Sequence, residues 1–139
     1  LKKQQRWIVL DESLHIICLT AMALDHAHKR GVLHRDIKPD NIMLKPQPSE
    51  SLPYTPVVTD LGLAKLASGG VATQEGTSMG TPAYMAPEQA MGDKDVDGRS
   101  DLYSLGIVFH EMLTGRVPYE AEDSIAIAVK HIQEPAVQY

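Results

Sequence analysis

The chain has 139 residues, a hydrophobic fraction of 43% and a formal net charge of −5 at pH 7. This length fits one domain, and no apolar run approaches the roughly 20 residues that cross a bilayer. Acidic residues spread along the chain argue against a nucleic-acid or anionic-membrane surface, which needs a basic patch. The single cysteine, Cys18, cannot form an internal disulfide, which suits a reducing compartment, and its apolar neighbours predict a buried side chain.

The first half of the chain predicts one long helix followed by two short strands. Asp11 can cap a helix that runs to about Arg30. The expected inward face of this helix recurs at helical spacing, at Leu14, Ile17, Ala21, Leu24 and His28. Residues 42–44 and 57–59 are typical of strands, whereas prolines predict irregular structure across 45–56.

The second half combines a long polar loop with two further helices. Residues 60–88 are rich in Gly, Thr, Ser and Pro, and a loop of this length inside a compact domain is usually functional. Residues 101–114 are apolar nearly all round, which predicts a buried helix that ends before Gly115. Ser124 can cap a last helix that runs through Ile132.

A short polar loop combines the residue types that phosphoryl transfer needs. That reaction depends on a carboxylate to orient the attacking hydroxyl, a cation for the moving phosphate and oxygen ligands for Mg²⁺. Asp36, Lys38 and Asn41 supply one of each within six residues. Asn41 and Asp60 lie at the inner ends of the two predicted strands, so a hairpin would bring these two oxygen donors together.

The same loop carries a resemblance to a known family. Residues 34–41, here called the catalytic loop, read His-Arg-Asp-Ile-Lys-Pro-Asp-Asn, which resembles the signature of protein kinases and favours their serine/threonine branch. Asp-Leu-Gly at 60–62, Ala-Pro-Glu at 86–88 and Ser-Asp-Leu-Tyr-Ser-Leu-Gly at 100–106 resemble three more family motifs in the expected order. The sequence of residues 80–90 is most similar to that of bacterial serine/threonine kinases.

This resemblance implies a role for each polar residue near the loop. Asp36 would be the catalytic base toward a Ser or Thr hydroxyl, and Lys38 would steady the γ-phosphate. Asn41 and Asp60 would hold Mg²⁺, or Mn²⁺ in its place, against ATP. Thr81 would form a hydrogen bond near Asp36 and Lys38 and help select a hydroxyl substrate.

The resemblance also implies binding and structural roles beside the reacting groups. Met43 would lie under the adenine ring of ATP. Asp101 would hold the backbone of the catalytic loop from below, and His34 and Glu88 would likewise be structural. The family pairs this glutamate with a later arginine that the present sequence does not contain, so Glu88 is expected to lack that partner.

A phosphate-dependent switch is a further expectation from the family. Arg35 and Lys65 would contribute to a basic pocket for a phosphate on the long loop, and such a charge pair can order a loop. The candidate acceptors of that phosphate are Thr73, Thr77 and Ser78, with Thr73 favoured by its distance from residues 80–81.

The fold expected from the resemblance is α+β and predominantly α-helical, like the large C-terminal lobe of a kinase with short β-hairpins at the active loop. Residues 1–139 would form a partial kinase domain, from the helix before the catalytic loop to the helix after the central buried helix. The small lobe, with its glycine-rich loop and strand lysine, and the last helices are not in the sequence. We therefore expect these residues alone to be inactive and marginally stable.

One residue departs from the family pattern, and one segment elsewhere imitates a family motif. Leu61 replaces the usual Phe, which keeps an apolar contact but changes its shape. Residues 126–130 read Ala-Ile-Ala-Val-Lys and faintly resemble the strand-lysine motif. They follow the catalytic loop instead of preceding it and are typical of a helix, so we reject that reading.

The partners expected from the family are ATP and proteins with Ser or Thr acceptors, with self-association for autophosphorylation as an additional expectation. No nucleic-acid partner and no membrane segment are expected within these residues. The expected location is the cytoplasm, or the cytoplasmic side of a membrane if the longer protein is anchored there. The absence of an initial methionine also indicates that the sequence starts inside a longer protein.

Several alternatives compete with this interpretation. Asp93, Asp95 and Asp97 begin like a calcium loop, but Ser104 stands where the twelfth position needs Glu. His110-Glu111 begins like a zinc-protease helix without the second His. A non-catalytic pseudokinase or binding module and a small-molecule phosphotransferase remain as rival functions. The complete set of polar residues opposes the first, and the Lys-Pro and Ala-Pro-Glu motifs oppose the second.

Overall fold

The computed structural model describes residues 10–47, 54–61 and 82–135. Within these ranges the chain forms a predominantly helical α+β fold, which confirms the predicted class. Its elements are α1 (Leu10–His28), β1 (Ile42–Pro46), β2 (Tyr54–Val58), the single turn α2 (Pro87–Ala90), α3 (Gly98–Thr114) and α4 (Ser124–Gln133). Short 3₁₀ turns at Pro39–Asn41 and Pro82–Tyr84 precede β1 and α2. No helix in the described part is long and apolar enough to span a membrane.

Helix α1 turns a partly polar face toward the core. Its buried residues are Ser13, Ile16, Thr20 and Leu24. Leu14, which the apolar spacing placed inside, is 43% exposed, so that prediction was wrong. The apolar spacing was misleading at this position because two of the buried residues, Ser13 and Thr20, are polar. The Thr20 hydroxyl can be buried because it donates to the Ile16 carbonyl at 2.7 Å.

The cysteine of α1 is also placed differently from the prediction. Cys18 is exposed, although its apolar neighbours predicted burial. It lies between the buried positions Ile16 and Thr20 in sequence, and at 100° per residue it falls outside the stripe that they share. An apolar neighbourhood in sequence is therefore no measure of burial on a helix that is packed on one side.

The hairpin is longer than the sequence indicated. Strands β1 and β2 pair antiparallel with Ile42 opposite Val58 and Pro46 opposite Tyr54. The prediction of irregular structure across 45–56 was therefore wrong at both ends, while residues 48–53 lie outside the described part. The prolines are tolerated because a strand in a two-stranded sheet has an edge where no N–H donor is needed.

Helix α3 packs against α1 and contributes Leu105 and Val108 to the core. The Asp97 carboxylate caps its start by accepting from the Arg99 N–H at 2.8 Å. Its end is set by Gly115, whose φ of 78° lies in the left-handed region. All-round burial was a wrong expectation for the described structure: Leu102 and Leu113 are 50% and 46% exposed. Only the side of α3 that packs on α1 and its neighbours is covered.

The residue that caps the start of α4 lies one position earlier than predicted. The carboxylate of Asp123, rather than the hydroxyl of Ser124, accepts from the Ala126 N–H at 2.7 Å. Acidic Asp is as good a cap as Ser, so the sequence alone could not choose between adjacent candidates. Pro135 lies just beyond the helix end.

The core connects the two long helices to the catalytic loop. Its buried members are Ile16, Leu24, Ile37, Ile42, Leu105 and Val108. Ile37 is the member inside the loop itself, and it is only 1% exposed. An apolar side chain buried in the middle of a polar loop fixes the depth of that loop, because moving it outward exposes the side chain to water.

Candidate active site

Asp101 supports the start of the catalytic loop. Its Oδ2 atom accepts from the His34 backbone N–H at 2.9 Å, and its Oδ1 atom accepts from that of Arg35 at 2.7 Å. The side chain projects from the first turn of α3 and is 1% exposed. A buried carboxylate is costly unless hydrogen bonds compensate it, and these two N–H groups do so while fixing the loop backbone.

His28 is a third partner of the same carboxylate. Its Nε2 atom lies 2.8 Å from Asp101 Oδ2, so the last turn of α1 meets the first turn of α3. Gly98 makes room for the ring: a Cβ added there would lie 2.6 Å from His28 Nδ1. Sequence reasoning assigned no partner to His28, and its position 73 residues from Asp101 gives no local signal for this contact.

Arg35 adopts an unusual backbone conformation directly before Asp36. Its φ of 65° is in the left-handed region, which costs a non-glycine residue roughly 1 to 3 kcal/mol. Side chains from two other elements hold this conformation. Asp101 accepts from the Arg35 N–H as above, and the Gln89 Nε2 amide donates to the Arg35 carbonyl at 3.0 Å.

The three polar residues predicted for phosphoryl transfer lie together. Lys38 Nζ is 3.2 Å from Asp36 Oδ2. Asn41 Nδ2 donates to the Asp36 carbonyl at 2.8 Å and more weakly to Oδ2 at 3.3 Å. The Asp36 side chain is 41% exposed, whereas Asn41 is 5% exposed. The carboxylate therefore has an open side, while the buried Asn41 and the partly buried Lys38 hold its other side.

His34 links the catalytic loop to the end of β2. The buried ring lies with Nε2 2.7 Å from the Thr59 carbonyl, and its Nδ1 lies 3.3 Å from the Asp36 N–H. A carbonyl only accepts and an amide N–H only donates, so Nε2 carries the proton and Nδ1 is the acceptor. The ring thereby joins Asp36 to the residue that precedes Asp60.

The pairing of strands β1 and β2 ends beside Asn41 and Asp60, the two predicted metal ligands. The Thr59 N–H donates to the Asn41 carbonyl at 2.9 Å, so Asp60 directly follows a residue that is bonded to Asn41. Asp60 is exposed and has a φ of 56°. Because Nδ2 of Asn41 is engaged by Asp36, its Oδ1 atom remains for a ligand, and two oxygen donors of this kind suit Mg²⁺.

Met43, predicted to lie under an adenine ring, sits on the open face of the hairpin. It is 59% exposed and pairs across the strands with Val57, which is 41% exposed. Two adjacent exposed apolar side chains next to Asn41 form a surface that a flat aromatic ring could cover.

Glu88 and Tyr84 connect the segment before α2 to α3. The Ser100 hydroxyl donates to Glu88 Oε1, so Glu88 has a partner that the sequence did not indicate. The Tyr84 hydroxyl donates to Glu111 Oε2 at 2.6 Å. Burial, and then the bond to Glu111, raise the pKa of Tyr84 well above its usual value, so the hydroxyl stays a donor.

The remaining predicted positions fall elsewhere. Arg35 presents an exposed side chain, and no carboxylate within the described residues pairs with it. The other positions lie outside the described residues: Lys65, Thr73, Thr77, Ser78 and Thr81.

The two metal alternatives gain no support from the structure. Asp97 is used as the cap of α3, and Asp93 accepts from the Asp95 N–H at 3.0 Å. Across residues 10–47, 54–61 and 82–135 no group of three His, Cys, Asp or Glu side chains could hold a metal ion.

An aromatic cluster joins α4 to α3. The Tyr103 hydroxyl lies 2.8 Å from His131 Nδ1, and the Tyr119 ring meets the same imidazole edge-on at 4.8 Å between centroids. Burial lowers the pKa of His131, partly offset by the backbone of Ala83 and Pro82. Burial also raises the pKa of Tyr103 to about 12, with smaller contributions from Tyr119 and Glu88. The cluster is therefore neutral around pH 7.

Comparison with known families agrees with this arrangement. The sequence model of the protein kinase domain family matches residues 1–138. The chain belongs to the protein kinase domain family. The resemblance drawn from the catalytic loop is thereby confirmed.

Bacterial serine/threonine kinases are among its relatives. The chain is 47% identical over 117 residues to a probable serine/threonine-protein kinase of Clostridium acetobutylicum, covering 84% of this chain and 17% of that protein. It is 41% identical over 125 residues to the serine/threonine-protein kinase pkn3 of Myxococcus xanthus, covering 87% and 22%. It is 40% identical over 126 residues to the serine/threonine-protein kinase PknA of Mycobacterium tuberculosis, covering 91% and 28%. The chain thus spans less than a third of the length of each of these relatives.

Proposed function

We propose that the protein that contains this chain transfers the γ-phosphate of ATP to Ser or Thr hydroxyls of proteins. The observation that carries this proposal is the contact of Asp36 with both Lys38 Nζ at 3.2 Å and Asn41 Nδ2 at 3.3 Å. A carboxylate, a cation and a metal-ligand amide in mutual reach are what phosphoryl transfer requires, and the exposed side of Asp36 leaves room for a hydroxyl.

In this proposal Asp36 orients the substrate hydroxyl and accepts its proton as the oxygen attacks phosphorus and the bond to ADP breaks. Lys38 neutralises charge on the transferred phosphoryl group. Asn41 and Asp60 hold the metal ion, which supplies charge neutralisation for the ATP phosphates when bound. Thr81 assists in selecting a hydroxyl acceptor, and Met43 covers one face of the adenine ring.

The residues 1–139 are proposed to be part of a kinase domain and inactive by themselves. The family's glycine-rich loop and strand lysine, which hold the ATP phosphates, are not in this sequence. Incubating the purified 139-residue chain with ATP, Mg²⁺ and a general protein substrate is expected to give no transfer. Transfer that disappears in Asp36→Asn would contradict this part of the proposal.

The regulatory proposal concerns phosphate on the long loop. Phosphorylation of Thr73, Thr77 or Ser78 would place a charge that Arg35 and Lys65 can bind, and such pairs order activation segments. Phosphosite mapping by mass spectrometry of the active full-length protein is expected to find at least one of the three modified. Finding all three unmodified would reject this switch.

The test of the main proposal compares two neighbouring carboxylates in the full-length protein. Asp36→Asn is expected to lower phosphate transfer by roughly 10²- to 10⁴-fold, the usual contribution of a catalytic base. Asp40→Asn removes the same charge four residues later from an exposed side chain and is expected to keep wild-type rates. A wild-type protein that binds ATP but transfers no phosphate would favour a pseudokinase instead.

A further inference from the structure

Gln89 carries a side-chain amide that is used at both ends. Its Oε1 atom accepts from the Ala86 N–H at 3.2 Å, next to the start of α2. Its Nε2 atom donates to the Arg35 carbonyl at 3.0 Å, 54 residues away in sequence. One half-buried side chain therefore joins the catalytic loop to the segment that follows Pro82–Tyr84.

The Arg35 carbonyl belongs to the peptide group that leads into Asp36. That planar unit also contains the Asp36 N–H, which lies 3.3 Å from His34 Nδ1. Gln89 thus holds the peptide at its oxygen while His34 holds it at its nitrogen. Rotating this plane would change the backbone direction at Asp36 and move its carboxylate.

We propose that Gln89 is a positioning residue for phosphoryl transfer, which keeps Asp36 aimed by clamping the Arg35–Asp36 peptide to the segment 82–90. The inference rests on the proposed function and deepens it. Gln89 does not contact the reacting groups in this view, and it acts through the backbone that carries Asp36.

The clamp couples two parts of the site. The segment 82–90 is itself anchored, since Tyr84 bonds Glu111 and the Ala86 side chain is fully buried. A displacement of this segment by about 1 Å would lengthen the Gln89 bond to Arg35 beyond hydrogen-bond range. The geometry of Asp36 therefore depends on whether the segment after Thr81 is in place.

A purely local role is the competing explanation. Gln89 is the third residue of α2, where a side chain often accepts from the N–H before the helix, as its bond to Ala86 does. The two roles use different atoms, so they can be separated. Glu at this position keeps an oxygen acceptor for Ala86 but has no donor for the Arg35 carbonyl, whereas Leu removes both.

The experiment measures Gln89→Glu and Gln89→Leu in the full-length protein. Gln133→Glu is the matched control, because it introduces the same charge at an exposed residue on α4. Rates are measured with ATP and a peptide substrate, and hydrogen exchange is followed in the peptides that cover 34–37 and 85–88. Calorimetry gives the melting temperature of each variant.

Both Gln89 variants are expected to lower kcat by about tenfold or more while leaving KM for ATP within about twofold. Exchange at 34–37 accelerates in both, and exchange at 85–88 accelerates only in Gln89→Leu. Gln133→Glu matches wild type in all three measurements.

A Gln89→Glu protein with wild-type kcat and wild-type exchange at 34–37 would overturn the inference. So would a loss of activity that merely follows a lowered melting temperature in both Gln89 variants. If the wild-type protein transfers no phosphate, the proposed function fails separately, and the exchange at 34–37 still decides whether Gln89 clamps the loop.

Discussion

The buried ring of His34 is bonded to the carbonyl of Thr59 across 2.7 Å. This bond crosses from the catalytic loop to the end of β2, and it exists only with the proton on Nε2, because the Thr59 oxygen cannot donate. The opposite ring nitrogen accepts from the Asp36 N–H at 3.3 Å. The relative placement of Asp36 and Asp60 therefore depends on the His34 ring, which bonds the backbone of Asp36 and of the residue before Asp60.

Replacing this ring tests that dependence. His34→Phe keeps most of the volume but leaves the Thr59 carbonyl and the Asp36 N–H without partners, so we expect a loss of about 2 kcal/mol or more of stability. In the full-length protein the KM for magnesium–ATP should also rise, because Asp60 loses its tether. The control is His26→Phe on the exposed side of α1. Equal melting temperatures for the two variants would contradict the prediction.

Asp101 offers a second test, through a change that conserves shape. Asp101→Asn keeps one acceptor oxygen but offers an NH₂ group where His34, Arg35 and His28 now direct donors. We expect about 2 to 3 kcal/mol of destabilisation and faster hydrogen exchange at residues 34–35.

The matched control for Asp101 is an exposed carboxylate. Asp95→Asn removes the same charge from the surface before α3 and should leave both quantities near wild type. An Asp101→Asn protein within about 0.5 kcal/mol of the control would show that the buried carboxylate is not needed to hold the loop.

Two glycines of α3 predict opposite effects of the same substitution. Gly98→Ala forces a methyl group within 2.6 Å of the His28 ring and should destabilise by about 1 to 3 kcal/mol. Among the described residues, a Cβ at Gly106 meets no atom within 4 Å outside its own stretch of helix, so Gly106→Ala should stabilise by about 0.5 to 1 kcal/mol, since Ala restricts the unfolded chain and favours helix. Calorimetry of both variants measures the difference.

A double variant separates the crowding at Gly98 from other effects of the methyl group. In a His28→Ala background the added methyl at Gly98 should cost little, because the ring that it strikes is gone. An equal cost in both backgrounds would show that the destabilisation does not pass through His28.

His131 predicts a pH dependence of stability. Burial lowers its pKa below the ordinary 6.5, so between these two values the unfolded chain binds more protons than the folded one. Acidification through that window therefore favours unfolding, and stability is retained above pH 6.5. Melting temperatures between pH 7.5 and 5.5 should fall less steeply in His131→Gln than in a His26→Gln control that retains His131. Parallel curves for the two variants would refute this assignment.

The catalytic loop could be predicted from sequence because its chemistry is local. Asp36, Lys38 and Asn41 lie within six residues, and a turn that brings them together needs few long-range contacts. The existence of α3 and α4 was also predicted, and Gly115 marked the end of α3. The capping residue of α4 and the burial of Leu102 and Leu113 were predicted wrongly. Asp60 could be placed near Asn41 because a hairpin is the simplest connection between two strands.

The supporting contacts could not be predicted in the same way. Gln89 meets Arg35 and His28 meets Asp101 across 54 and 73 residues, so neither pair has a spacing that identifies it. The inward face of α1 was predicted correctly at Leu24 and wrongly at Leu14, because Ser13 is buried by packing that its polarity does not indicate. Tertiary contacts, and not local propensity, decide these positions.

Helix α3 supports two parts of the site. Two of its side chains must therefore point in set directions around the helix axis. Asp101 holds the catalytic loop at one end, while Glu111, ten residues later, holds Tyr84. Deleting one residue between them would rotate the two ends by about 100° and shift them by about 1.5 Å. One end could then keep its partner only if the other lost it. The number of residues between Asp101 and Glu111 is therefore constrained by these two side chains, although they lie far apart on the helix. An insertion or deletion between them would break at least one of the two contacts.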